Sequence, residues 1–184
     1  MLEGTSVAML VEDGFEDLEL WVTVMRLREE GAAVTLVGPE AGRAYASKSG
    51  GLAARADRRG EEARPEEFDA GVIRGGWAPD RLRRHSWVKR IVGEMDRQGK
   101  TVGLICHAGL VGISAGIVKG KRATGSLGIR DDLINAGAIW TDLPAFREGN
   151  QVWGRVVEDI PAFCRELIAA LEAQRLRVGP PTRG

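Results

Sequence analysis

Cys106 is the side chain in this sequence best placed for nucleophilic chemistry. Residues 101–105 form a short apolar run that predicts a buried strand, and the apolar spacing from there to Val118 predicts a helix. A cysteine at such a junction lies near unpaired backbone amides and the positive end of a helix dipole, and both favour the thiolate. The alternative is an inert cysteine buried as a small apolar side chain.

Two amides could assist this thiol. At a sharp strand-to-helix turn, the N–H of the residue after the nucleophile, here His107, faces a developing oxyanion. Gly75 and Gly76 follow another predicted strand, and residues without a Cβ let the backbone approach a ligand closely. The sequence therefore indicates an oxyanion hole, although a Gly-Gly pair is also common in turns without a function.

The elements that must position these residues alternate between strand and helix. Residues 6–11 predict a strand, 16–30 an amphipathic helix and 33–37 a second strand, which is the βαβ unit of a parallel sheet. Residues 40–67 are polar and predict a small hairpin with loops. We expect one open, mostly parallel sheet with helices on both faces. In such a sheet, ligands bind at the carboxyl ends of the strands.

The length of 184 residues fits one domain. We place this domain at residues 1–174, where the last helix is expected to end. Residues 175–184 contain Pro180 and Pro181 and little apolar matter, so they predict a disordered tail.

Charge and cysteine content exclude several classes of protein. Lys plus Arg and Asp plus Glu both number 26, so the net charge is zero and neither nucleic acid nor a membrane is an expected partner. The apolar runs are too short to cross a bilayer, and we expect a soluble, cytoplasmic protein. Cys106 and Cys164 are the only cysteines, which argues against a disulfide framework or a zinc site. Cys164 lies on an apolar helical face and is expected to pack in the core.

Four segments resemble the DJ-1/PfpI family, and most closely its PfpI branch of intracellular proteases and deglycases. They read GFEDLEL, EEFDAxVxxGGxAPDRLR, GLICHAGLVxISAGIVKGKRAT and IRDDLINAGAIWTD. The resemblance extends from about Ser6 to Gln174. It implies a flavodoxin-like, three-layer α/β/α sandwich with a mostly parallel sheet and a cysteine nucleophile elbow.

The resemblance also implies partners for the thiol. Glu19 matches a carboxylic acid that hydrogen-bonds to the cysteine; the alternative is a solvated residue of the first helix turn. His107 matches the base of the PfpI branch, although adjacent side chains at a sharp turn tend to point apart and His107 could contribute only its amide. Asp80 matches an acid from a neighbouring subunit that orients the histidine, but it is one methylene shorter than the usual glutamate. Its alternative role is helix capping after Pro79.

The sequence departs from the family at several positions near the expected site. Ala108 stands where glycine is usual and adds a Cβ beside the pocket, and Arg74 replaces a common proline. Trp77 replaces a smaller or polar residue, and could roof the pocket or pack beneath a subunit contact. Arg155 could bind an anion or brace the site through a carboxylate, or form an ordinary surface ion pair.

Three functions fit these residues. The first is a cysteine-dependent enzyme, a hydrolase or a glyoxalase-III-like lyase, that acts on a carbonyl group of a peptide, a reactive aldehyde or an aldehyde adduct. The second is a stress-response redox sensor or chaperone with an oxidisable Cys106. The third is a branch recruited to a specialised small-molecule reaction. The resemblance implies no metal or organic cofactor, and it implies a homo-oligomer, either a dimer or dimers assembled into a hexamer.

Overall fold

The computed structural model describes residues 1–178, in which strands and helices alternate. The strands are β1 (Ser6–Leu10), β2 (Ala33–Gly38), β3 (Ala44–Tyr45), β4 (Ala54–Arg55), β5 (Arg58–Arg59), β6 (Ala70–Ile73), β7 (Thr101–Ile105), β8 (Arg122–Ala123), β9 (Ile139–Trp140), β10 (Ala145–Glu148) and β11 (Gln151–Gly154). The helices are α1 (Asp17–Glu29), α2 (Ala78–Leu82), α3 (Ser86–Arg97), α4 (Gly109–Ser114), α5 (Arg130–Asn135) and α6 (Ile160–Val178).

The main sheet has seven strands in the order β10-β11-β7-β6-β1-β2-β5. Neighbouring strands are parallel except for β10, which pairs antiparallel with β11 at one edge. The remaining strands form two small pairs, β3 with β4 and β8 with β9. The central strands β1, β6 and β7 are mostly apolar and almost wholly buried, as expected of a parallel sheet covered on both faces.

Helices cover the sheet on both sides. Helices α1 and α6 pack against each other on one face, and α3 and α4 contact β6 and β7 on the other. The predicted three-layer sandwich with a mostly parallel sheet is therefore confirmed. Strand β1 lies between β2, the next strand in sequence, and β6, which follows later in the chain. Such a reversal of strand order opens a crevice at the carboxyl ends of the strands.

Several predicted boundaries differ from the structure. Residues 40–67 contain the expected small antiparallel pair, but β5 also extends the main sheet beside β2. The sequence interpretation missed α2 and β10. The helix predicted to reach Val118 ends at Ser114, because the chain turns at Gly116 with a φ of 74°.

The last helix is longer than predicted. Helix α6 continues to Val178 rather than ending near Gln174, whose buried side chain accepts hydrogen bonds from the backbone N–H and the hydroxyl of Thr101, both at 2.8 Å. The first part of the expected disordered tail, residues 175–178, is thus helical. Its remainder, 179–184, lies outside the described residues. No helix within residues 1–178 is both long and apolar enough to cross a membrane.

Candidate active site

The three segments expected to converge do meet at one edge of the sheet. Strands β1, β6 and β7 are neighbours, and the chain continues from their carboxyl ends toward Glu19, Gly75 and Cys106 respectively. A Cβ placed on Gly75 would lie 2.8 Å from Cys106 Sγ and 2.9 Å from Glu19 Oε2. The thiol and the carboxyl therefore lie together, and position 75 has no room for a larger residue.

Cys106 occupies a strained backbone conformation. Its φ is 61°, and it is the one non-glycine residue in 1–178 with a positive φ. Such a conformation costs of order 1–3 kcal/mol and is typically found at functional sites. The residue begins a 3-10 turn, Cys106–Ala108, that joins β7 to α4, and its side chain is partly exposed. This is the geometry of a nucleophile elbow.

Two backbone N–H groups point at the sulfur. Those of His107 and Gly76 lie close enough to it to favour its ionised form. Gly76 has a φ of 75°, and a Cβ at this position would overlap the carbonyl oxygen of Gly14. Only glycine fits there, so the backbone of the turn can approach Cys106 closely enough for its amide to reach the thiol.

Glu19 lies inside the protein beside the thiol. It is fully buried in the first turn of α1, where its backbone N–H donates to the Glu16 side chain at 2.8 Å. Its Oε2 accepts a 2.6 Å hydrogen bond from the N–H of Gly75, its Oε1 has no hydrogen-bond partner within residues 1–178, and the Cys106 thiol lies close to the carboxyl. The alternative of a solvated Glu19 is therefore wrong.

Burial raises the pKa of Glu19 to about 7, and the negative charge of Glu16 acts in the same direction. The hydrogen bond from Gly75, the nearby Cys106 thiol and the positive charge of Arg74 partly oppose this shift. A carboxyl with such a pKa is divided between its protonated and ionised forms near neutral pH. It can therefore both donate and accept a proton in that range.

The expectation of a lowered thiol pKa at Cys106 is wrong. Burial and, after it, the negative charge of ionised Glu19 raise this pKa to about 12, although the two amides favour the thiolate. The thiol and the carboxyl form one coupled pair. When Glu19 carries the proton, its repulsion of the thiolate disappears and it becomes a hydrogen-bond donor. The thiolate is then favoured.

The ring of His107 faces the thiol. Its Nδ1 lies 3.3 Å from Cys106 Sγ, so in this left-handed turn the adjacent side chains meet instead of pointing apart. Burial lowers the pKa of His107, and the positive charge of Lys48 lowers it further. The imidazole is consequently neutral at pH 7 and has a nitrogen able to accept a proton.

Asp80 lies in α2, near His107 but without a hydrogen bond to it within residues 1–178. Its exposed carboxylate forms an ion pair with Arg84. Helix α2 has Trp77 as its N-cap and no side-chain capping hydrogen bond, so the capping role considered for Asp80 is not observed. Its contact with His107 of a neighbouring subunit remains a prediction.

Two cavities meet at Trp77, a residue that is 63% exposed. The larger, about 450 Å³, is lined by Gly76, Trp77, Asp80, Arg81, Arg84, His107 and Leu110. The smaller, about 280 Å³, is lined by Glu16, Lys48, Gly76, Trp77, Cys106, His107, Ser126, Val156, Val157 and Glu158. Trp77 and His107 thus border both cavities, and the smaller one gives access to the thiol.

Two expected binding residues lie elsewhere. Ala108 is fully buried and lines neither cavity, because the 3-10 turn directs its Cβ into the core. Arg155 also lines neither, since its guanidinium is held by Asp142 and Asp159 at 2.8 Å each. These two hydrogen-bonded carboxylates raise the pKa of Arg155. It braces the chain before the 156–158 segment of the smaller cavity and does not bind an anion there.

Sequence reasoning missed the charged rim of the smaller cavity. Lys48 comes from the polar 40–67 region, and Glu158 from the turn before α6. No sequence motif marks either residue, because both are far from Cys106 in sequence and only the tertiary fold brings them to the cavity beside the thiol. Cys164 lies in the core as predicted, with its sulfur 3.8 Å from the Thr23 hydroxyl. Within residues 1–178, no three His, Cys, Asp or Glu side chains cluster as a metal site would require.

Comparison with known proteins identifies a family that this chain resembles over most of its length. A sequence model of the DJ-1/PfpI family matches residues 5–170. Deglycase PfpI of Pyrococcus furiosus is 39% identical over 166 residues, which cover 90% of this chain and 99% of that protein. General stress protein 18 of Bacillus subtilis is 33% identical over 170 residues, covering 92% and 99%.

A solved structure with a domain of this family has a similar fold. A two-domain protein from Anabaena variabilis, containing DJ-1/ThiJ/PfpI-like and ferritin-like domains, superimposes with a TM-score of 0.89 at 36% identity. The match covers 91% of this chain and 48% of that longer one. The similarity thus corresponds in length to about one of its two domains.

Proposed function

Because this chain belongs to the DJ-1/PfpI family, we propose that it is a cysteine-dependent enzyme acting on a carbonyl group, with Cys106 as nucleophile. One observation carries this proposal. The thiol of Cys106 lies in a left-handed elbow, with a buried carboxyl and a neutral imidazole next to it and two amides pointing at it. This set supplies a nucleophile, proton carriers and an oxyanion site together.

The proposed reaction begins with attack of Cys106 Sγ on the carbonyl carbon. The thiol proton passes to His107 Nδ1 or to Glu19, each of which is close to the sulfur. A new S–C bond forms while the carbonyl π electrons move to oxygen. The N–H groups of Gly76 and His107 then stabilise the resulting oxyanion.

The cavity beside the thiol favours a small substrate. Its volume of about 280 Å³ suits a reactive aldehyde, such as methylglyoxal, or an aldehyde adduct on an exposed side chain. The Pyrococcus furiosus relative is named a deglycase, which agrees with this choice. Peptide hydrolysis is the second carbonyl reaction to test, since the larger cavity beyond Trp77 could hold an extended chain.

A redox sensor is the alternative function. An oxidisable thiol paired with a carboxyl suits reversible oxidation, and one relative is named a general stress protein. The contact between His107 and Cys106 favours turnover, because a sensor does not need a positioned base. We also propose a homo-oligomer, either a dimer or dimers assembled into a hexamer, in which Asp80 of one subunit orients His107 of another.

The test compares methylglyoxal consumption and peptide hydrolysis by the wild type, Cys106→Ser and Cys164→Ser. We expect methylglyoxal consumption by the wild type and Cys164→Ser, and its loss in Cys106→Ser. Hydrolysis of the peptide alone, with the same dependence on Cys106, would assign a peptidase. Turnover of neither substrate, combined with rapid oxidation of Cys106 by hydrogen peroxide, would support the sensor.

A further inference from the structure

Arg74 is a buried cation beside the reactive pair. It follows β6 directly and precedes Gly75, and its side chain is only 2% exposed. Its guanidinium donates to the carbonyl oxygen of Leu10 at the end of β1 and, at 3.5 Å, to that of Val72. Its Nε has no hydrogen-bond partner within residues 1–178. These contacts hold the guanidinium at the carboxyl ends of the two central strands.

The positive charge of Arg74 has no directly paired carboxylate. Within residues 1–178, no Asp or Glu oxygen lies within 4.0 Å of the guanidinium. The acid that acts on it is Glu19, which is joined to the next residue by the hydrogen bond from the Gly75 N–H. Burial lowers the pKa of Arg74 to about 9, which leaves it charged at neutral pH.

The surrounding charges favour a single anion opposite Arg74. Glu19 faces Glu16, Arg74 and Cys106, while Cys106 faces Glu19 and the neutral ring of His107. A buried cation without a counter-charge is strongly unfavourable. If both Glu19 and Cys106 were protonated, Arg74 would be uncompensated. If both were ionised, two negative charges would lie side by side.

We propose that Arg74 is a positioning residue whose buried guanidinium is the counter-ion of one negative charge shared by Glu19 and Cys106. With a single proton distributed over the carboxyl and the thiol, the buried cluster is neutral. Arg74 thereby makes the pair release its first proton at a lower pH than it would in a neutral apolar surrounding. Its charge acts directly on Glu19 and favours the carboxylate. When the thiol proton then passes to this carboxylate, the negative charge moves to the sulfur, so the thiolate also becomes accessible at the lower pH.

This inference rests on the proposed function only in taking Cys106 as the reactive group. Its test therefore uses alkylation of the thiol by iodoacetamide, which requires no substrate. The background is the full chain with Cys164→Ser, so that Cys106 is the single thiol. The rate of alkylation is followed over pH in that background, in Arg74→Met, in Arg74→Gln and in a control, Arg83→Met.

We expect the acid limb of the rate profile to move to higher pH by about one unit in Arg74→Met and Arg74→Gln. At a pH below the limb this corresponds to roughly tenfold slower alkylation. Arg83→Met also removes a partly buried arginine from the adjacent segment, where Arg83 donates to Ser114, and should leave the limb unchanged. Circular dichroism identifies variants that do not fold, and Arg74→Gln provides the measurement if Arg74→Met is one of them.

A limb unchanged in a folded Arg74 variant would overturn the inference, as would an equal shift in Arg83→Met. A uniform fall in rate at every pH would overturn it too, because that result indicates a structural effect on access to the thiol. Failure of the wild type to turn over either methylglyoxal or the peptide, together with the expected shift, would contradict the proposed function while supporting the role of Arg74.

Discussion

At the scale of single residues, two requirements conflict at Cys106. Burial raises its pKa, whereas the nucleophilic role proposed for it requires ionisation. The neighbouring side chains resolve the conflict, because each of them can take the thiol proton. Glu19 has a pKa of about 7, and His107 is neutral. The site thus depends on exchanging one proton between close groups rather than on a thiol that is acidic by itself.

The raised pKa of Glu19 has a consequence for stability. Because the folded protein holds this proton up to about pH 7 and the unfolded chain releases it near pH 4.5, the contribution of Glu19 is complete below pH 4.5 and is lost as pH rises to 7. The loss is about 3 kcal/mol. Guanidinium unfolding should show this fall in the wild type and in Glu3→Gln, a surface control, but not in Glu19→Gln. Equal pH dependence in all three would contradict the assignment.

The pKa of His107 gives a second residue-level prediction. Lys48 lowers this pKa by charge repulsion, after the larger effect of burial. Lys48→Gln should therefore raise the pKa of His107, while Lys89→Gln on the exposed side of α3 should not. Two-dimensional NMR titration can follow the ring directly, because the chain has only two histidines and His85 serves as internal reference. An unchanged pKa in Lys48→Gln would show that Lys48 does not face the ring.

At the scale of elements, the site consists of three turns that follow adjacent parallel strands. The turn after β6 must pass close to both Gly14 and Cys106, and Gly75 and Gly76 make this approach possible. The turn after β7 bends sharply enough to require a left-handed cysteine. The backbone of these turns, held by the rigid sheet, supplies the two amides at the thiol.

Gly76→Ala tests this packing against a matched control. Both Gly76 and Gly99 have a positive φ, of 75° and 71°, but a Cβ at Gly99 would meet nothing within 4 Å. Gly99→Ala should cost about 1 kcal/mol of unfolding free energy, from the left-handed backbone alone. Gly76→Ala should cost more, because its Cβ also overlaps the Gly14 carbonyl, and it should abolish turnover. Similar losses in the two variants would show that the close approach at Gly76 is absent.

The sequence was informative where patterns are local. The apolar runs and the Gly-Gly and Cys-His pairs located β1, β6, β7 and the edge at which they meet, and the family resemblance selected Glu19. Strand β10 was missed although Gly149 and Asn150 beside it are typical hairpin residues. The direction of the Cys106 pKa and the burial of Ala108 could not be inferred, since both depend on packing from distant segments.

At the scale of the whole molecule, the site has one open side. Trp77 and the Asp80 carboxylate are exposed along the larger cavity, next to the ring of His107. The proposed oligomer would place another subunit there and supply an acid for His107, which has no carboxylate partner among residues 1–178. In this proposal, assembly would be a condition for full activity.

Subunit mixing can test that arrangement. We expect Asp80→Asn and Cys106→Ser each to have low activity as pure proteins. Mixed oligomers formed by joint refolding should regain activity, because a subunit with an intact Cys106 can receive Asp80 from its Cys106→Ser neighbour. Light scattering after size-exclusion chromatography reports the assembly. A mixed sample no more active than the sum of its parts would show that Asp80 does not act across subunits.

The central claim is that Cys106 is the nucleophile toward a carbonyl carbon. Native mass spectrometry of the protein after brief exposure to methylglyoxal tests it most directly, with Cys106→Ser and Cys164→Ser measured in parallel. The account predicts the addition of one methylglyoxal molecule per chain in the wild type and in Cys164→Ser, and none in Cys106→Ser. Equal addition to Cys106→Ser would contradict the claim.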